Sequence, residues 1–215
     1  PKAYLCLRLL VAFALLAACS TLVIPPAAPE NARSVFLLEH GQHASLVLPG
    51  KNRGVVRYSY GDWDYYALGK KGISSGLRAL QGPTRAGLGR RELAATATEE
   101  GVRASVRIDI LAVHELKASA PAIENLRGML DGIYEANKNS LIYNSQIDLE
   151  FVHHPVPYSA QHNSNRVVAD WLRVLGCKVE GPTFVPNWKF ERPKDARHQT
   201  NPKLCRSRDT AFTST

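Results

Sequence analysis

Residues 34–60 read SVFLLEHGQHASLVLPGKNRGVVRYSY, and this stretch decides the fold. Ser34–Leu38 and Ala44–Leu48 are short apolar runs of strand type, separated by EHGQH, whose glycine and polar residues suit a turn. Gly54–Tyr60 is a third run, rich in β-branched and aromatic residues. Three strands joined by turn-length connections predict a small antiparallel sheet at the front of the domain.

Reading outward from there, residues 69–92 are glycine-rich, with one short helical stretch near Ser75–Leu80. The span from Gly82 to Gly87 lacks the Lys-Ser/Thr pair that a phosphate loop needs. Ala104–Val113 (ASVRIDILAV) alternates and predicts a strand. Ser119 then suits the N-cap of a helix whose apolar face carries Ala122, Leu126, Met129 and Ile133. Residues 139–158 hold short extended pieces. A second helix is predicted from about Ser164 to Leu175, with Val167, Val168, Trp171, Leu172 and Leu175 on one face and Gly176 as its terminator. Strands and helices without regular alternation imply an α+β class, with a small antiparallel sheet packed against helices. Residues 34–190 are enough for one core and read as a single domain.

The front of the chain reads differently. Residues 1–18 carry Lys2 and Arg8 and no acidic group, and Leu9–Ala18 is an apolar run too short to span a bilayer. The segment Leu16-Ala17-Ala18-Cys19 resembles the lipobox of bacterial lipoproteins. By that resemblance residues 1–18 are a signal peptide and Cys19 is the lipidated first residue of the mature protein. The implied location is the cell envelope, on the outer membrane facing the periplasm where the cell has one. Residues 19–33, rich in Pro and Ala, are expected to be a tether.

Without residues 1–18 the net charge is about +6, with a basic cluster in the tail 191–215 that reads as disordered. For an exported protein, partners of a basic surface would be peptidoglycan or anionic lipid, not nucleic acid. Of the later cysteines, Cys177 and Cys205 could pair in an oxidising compartment; neither Cys-x-x-Cys nor zinc-ligand spacing occurs. His153-His154, with His40, His43 and His162, could supply metal ligands, but no His-x₃-His or His-Glu-x-x-His helix is present. No metal or other cofactor is expected.

Three segments carry chemistry: His40-Gly41-Gln42-His43, the run Tyr60-Gly61-Asp62-Trp63-Asp64-Tyr65-Tyr66, and His162-Asn163-Ser164-Asn165-Arg166 opening the second helix. Together they resemble the circularly permuted branch of the NlpC-type, papain-like superfamily, which includes relatives of lecithin retinol acyltransferase and bacterial lipoprotein families with a Gly-Trp-His motif. The resemblance implies a papain-like core in which His43 is the base. Asn163 precedes the nucleophile, and Ser164 stands where the family has Cys. For the third residue it leaves Asp62 first and Tyr60 second, with Tyr60 and Trp63 as binding residues.

A hydroxyl is far less acidic than a thiol and depends on its general base. Two functions therefore stay open. One is a binding or assembly lipoprotein that keeps a degenerate cleft. The other is a Ser–His acyl-transfer hydrolase or transferase acting on an amide or ester of peptidoglycan peptide or lipid. Beside both stands the plain reading, in which Asn163 or Ser164 caps a helix and the tyrosines line the core.

Overall fold

The computed structural model describes residues 20–52, 54–70, 82–184 and 186–191. Its sheet grows from the hairpin of β2 (Arg33–Glu39) and β3 (Ala44–Pro49), in register Phe36↔Val47 and Leu38↔Ser45. On one side β3 pairs with β4 (Val55–Asp62), β4 with β5 (Thr84–Leu93), β5 with β8 (Leu149–Tyr158) and β8 with β7 (Ile142–Asn144). On the other side β2 pairs with β6 (Ala112–Ala118). The order is β6-β2-β3-β4-β5-β8-β7, with every pair antiparallel. The class is α+β, and the sheet of seven strands is larger than the small one expected.

Every residue of β3 and β4 is buried, because both faces of the sheet are covered. On one face Leu46, Leu48, Val56 and Tyr58 pack with helices α2 (Ala120–Ala136) and α3 (Ser164–Val174). On the other, Phe36, Leu38, Val47 and Val55 meet Leu93 and Val102, the latter from α1 (Glu99–Ser105). This double cover is why SVFLL is continuously apolar instead of alternating. Each fully buried Leu or Phe contributes about 1.5–3 kcal/mol.

The helix α2 begins where expected, with the Ala122 N–H donating to the Ser119 hydroxyl at 3.3 Å. Its buried stripe is Ile123, Leu126, Leu130 and Tyr134, one position on from the expected face, and Met129 is 53 % exposed. The expected strand at 104–113 is corrected. Residues 99–105 form α1, capped by Thr98, and the ladder starts only at Ala112. The alternation has another cause: Val106, Ile108 and Ile110 point into the α1 core from an unpaired segment. The glycine-rich stretch also differs, since Thr84–Leu93 is a ten-residue strand inside the sheet. Gly89 is needed there because a Cβ would come within 2.7 Å of the Phe151 ring. The helical stretch expected near Ser75–Leu80 lies outside the described residues.

The expected tether is corrected in part. Within it, β1 (Thr21–Ile24) is the middle strand of a second sheet, between β9 (Lys178–Glu180), antiparallel, and β10 (Trp188–Phe190), parallel. Thr21 and Val23 are fully buried, so this segment is part of the domain. Cys177 is a buried free thiol, pushed up to about 12 by burial. Residues 1–19, including Cys19, and the tail with Cys205 lie outside the described residues.

Candidate functional site

The α3 helix starts beside the β2–β3 turn. Asn163 is its N-cap, its side-chain oxygen accepting from the Arg166 N–H at 3.0 Å. That leaves Ser164 in the first turn, buried, with no capping duty. Asn165 is buried beside it and donates from Nδ2 to the Gln42 carbonyl at 3.4 Å, tying the helix start to the turn. The turn itself closes with the His40 N–H on the His43 carbonyl at 3.0 Å, and Gly41 takes φ +91°, which its lack of a Cβ permits.

His40 is locked in one tautomer. Its Nδ1 lies 2.8 Å from the Asp109 carbonyl, which can only accept, so Nδ1 carries the proton. Nε2 then accepts from the Ser45 hydroxyl at 2.9 Å. The His43 ring stacks on His40 with centroids 5.3 Å apart and meets the Tyr66 ring edge-on at 5.1 Å. Its Nε2 is buried without a hydrogen-bond partner. Burial holds both imidazoles down to about 4; for His43 the neighbouring His40 and Arg57 push the same way. At neutral pH both rings are uncharged.

Arg57 lies fully within the sheet on β4, 1 % exposed. Its Nη2 donates to the Ile147 carbonyl, while Nε and Nη1 have no partner. Burial lowers it to about 10 against the pull of Asp148. It therefore remains a cation that discourages protonation of His43.

Tyr66 comes from a five-residue π turn, Trp63–Ala67, at the end of β4. The turn lays the Tyr66 ring on Gly61, where a Cβ would come within 2.1 Å of the ring. The Ser164 side chain lies beside the Tyr66 phenol, and burial raises that phenol well above its ordinary range.

Several expected site residues have other work. Asp62 does not reach His43: its Oδ1 accepts from the Tyr65 N–H at 2.9 Å and its Oδ2 from the Thr84 hydroxyl at 2.5 Å. It caps the π turn, so its place as the third residue is corrected. Tyr60 donates its hydroxyl to the Val156 carbonyl at 3.1 Å and packs edge-on against His154 and His162. Trp63 is buried against His153 and belongs to a small core with Phe151 and Leu149. His153 and His154 are adjacent strand residues and stand against different rings. Among the described residues no three His, Cys, Asp or Glu side chains are grouped to hold a metal.

The structure thus gathers His43, Tyr66, Ser164 and Asn165 at one helix start, and leaves Asp62, Trp63 and Tyr60 in other roles. No hydrogen bond joins His43 to Ser164. Tyr66 and Asn165 are the residues that sequence reasoning passed over. Both lie inside the segments quoted above, but only the π turn and the Gln42 contact distinguish them from wall and cap. No family model, curated protein or solved structure matches the chain.

Chemically the arrangement offers an uncharged imidazole with a free Nε2, an amide oxygen on Asn165 without a partner, and a protonated phenol beside the Ser164 hydroxyl. Nε2 of His43 and Oδ1 of Asn165 are both enclosed, each with an unused hydrogen-bonding capacity. The arrangement holds no base positioned on the Ser164 proton.

Proposed function

We propose that this protein is a lipoprotein of the cell envelope, anchored through Cys19, whose papain-like cleft binds a ligand without turning it over. The observation that carries the binding reading is that Nε2 of His43 is buried without a hydrogen-bond partner, so this ring nitrogen is not set to take a proton from Ser164. A serine nucleophile needs a base in hydrogen-bond reach and an orienting group behind that base. His43 has neither link: Asp62 is engaged elsewhere, and the ring's low basicity further weakens it. The unpartnered Nε2 of His43 and Oδ1 of Asn165 favour an uncharged amide-bearing ligand, of which peptidoglycan peptide is the envelope example.

The anchoring reading is supported by the Leu16-Ala17-Ala18-Cys19 sequence. Placement in the permuted NlpC-type superfamily is supported by the short motifs around His43 and Ser164 and by the helix that Ser164 opens. The deciding experiment exposes folded mature protein to a serine-directed fluorophosphonate beside an active serine hydrolase. The expected result is no adduct on Ser164. Stoichiometric labelling there would replace the binding reading with the Ser–His acyl-transfer reading, acting on an amide or ester of peptidoglycan peptide or lipid.

A further inference from the structure

The chain enters the second sheet between the two arms of the segment that joins β9 to β10. The Thr21 N–H donates to the Asn187 carbonyl and the Thr21 hydroxyl to the Pro182 carbonyl, each at 2.7 Å. Gly181, at φ +85°, sits so close to the Ser20 carbonyl that a Cβ would come within 2.5 Å of it. Phe184 on this segment is 56 % exposed, whereas Val23 and Trp188 of the same sheet are buried. Among the described residues this ring stays largely uncovered, although its own neighbours are pinned to Ser20 and Thr21.

Only Ser20 separates Cys19 from β1. Two residues of extended chain span at most about 7 Å. Acyl chains on Cys19 therefore place Thr21, and the segment bonded to it, at the depth of the lipid headgroups. We infer that Gly181–Phe184 is a second membrane contact, with Phe184 inserted into the interface of the leaflet that holds the Cys19 lipid. This rests on the lipoprotein reading. The contact is apolar in character, since the nearby Lys178 and Glu180 pair with each other at 2.5 Å and leave no net charge from β9. An acyl anchor joined to an inserted aromatic ring fixes the orientation of the domain, which an anchor on a flexible tether does not.

The test uses mature protein purified from membranes, its acylation read by intact mass, and the variant Phe184→Trp. This change is made on an exposed side chain, and the native Trp63, Trp171 and Trp188 are all buried away from lipid, so the added indole is read as the difference from wild type. Both proteins are placed in vesicles of phosphatidylcholine, with and without phosphatidylglycerol, that carry brominated acyl chains. The expected result is a blue shift and loss of emission from Phe184→Trp beyond the wild-type signal, equal with and without the anionic lipid and unchanged by salt. Acylated protein whose added indole emits as in water, unquenched, overturns the inference and leaves the lipoprotein reading standing. A mass without acyl groups overturns both. Quenching only with phosphatidylglycerol, abolished by salt, would replace the apolar contact with an electrostatic one and also overturn it.

Discussion

The Tyr66 ring stands edge-on against His43 at 5.1 Å between centroids, with Ser164 beside its phenol. Burial raises the Tyr66 phenol well above its ordinary range, so at neutral pH it is protonated and offers Ser164 no base.

Replacing Ser164 by Cys converts this relation into a measurement. A thiol activated by an imidazolium and a helix start titrates well below its ordinary value of about 8.5. In Ser164→Cys the neighbouring His43 is neutral and unlinked, and the site is buried. The thiol is expected to alkylate with an apparent pKa of about 8.5 or higher. A rate profile against pH with its midpoint below 7 would show an activating histidine and restore the case for catalysis.

Gly61 supports Tyr66 directly. A methyl group there meets the ring at 2.1 Å, so Gly61→Ala must push Tyr66 off the sheet or shift the π turn. Overpacking of this kind costs about 1–3 kcal/mol. Urea unfolding is expected to show that loss, and the displaced phenol should expose Ser164 to solvent. An unchanged midpoint would mean that Tyr66 is not packed where the site requires it.

The two imidazoles make stability depend on pH. Each has a folded pKa near 4, below the ordinary 6.5. Between those values the unfolded chain binds more protons, so stability is full above pH 6.5 and falls as the pH drops toward 4. The loss is on the order of 3 kcal/mol per ring. Urea midpoints at pH 7.5, 6 and 5 are expected to fall in that order. The slope should be shallower in His43→Gln. Equal slopes in the two proteins would place the proton uptake elsewhere.

Removing β1 tests whether residues 20–24 belong to the domain. A chain beginning at residue 26 loses the fully buried Val23 and the Thr21 hydrogen bonds to Pro182 and Asn187. At about 2 kcal/mol for the valine and about 1 for each bond, the expected cost is roughly 3–5 kcal/mol relative to a chain beginning at Ser20. Equal urea midpoints would return the segment to the role of a tether.

Local signals carried much of this fold. SVFLL, ASLVL and GVVRYSY became β2, β3 and β4 because β-branched and apolar runs bounded by turn residues have few other uses. Ser119 and Gly176 marked helix ends because capping is a property of neighbouring backbone. The alternation of Val106, Ile108 and Ile110 did report burial, but whether such a segment finds a ladder partner depends on a strand far away in the chain.

The amino-acid sequence by itself determined the α+β class and the helix on which Ser164 sits, since each follows from contacts within a few residues; that Asn163 and not Ser164 caps that helix came with the structure. Only the tertiary structure decided that Ser164 faces Tyr66 and that Asp62 is drawn to Thr84. It also decided that Thr21–Ile24, expected to be part of a tether, becomes a buried strand. Those outcomes turn on pairing between residues tens of positions apart, where burial and the need to satisfy every enclosed polar group choose among partners that local pattern leaves equal.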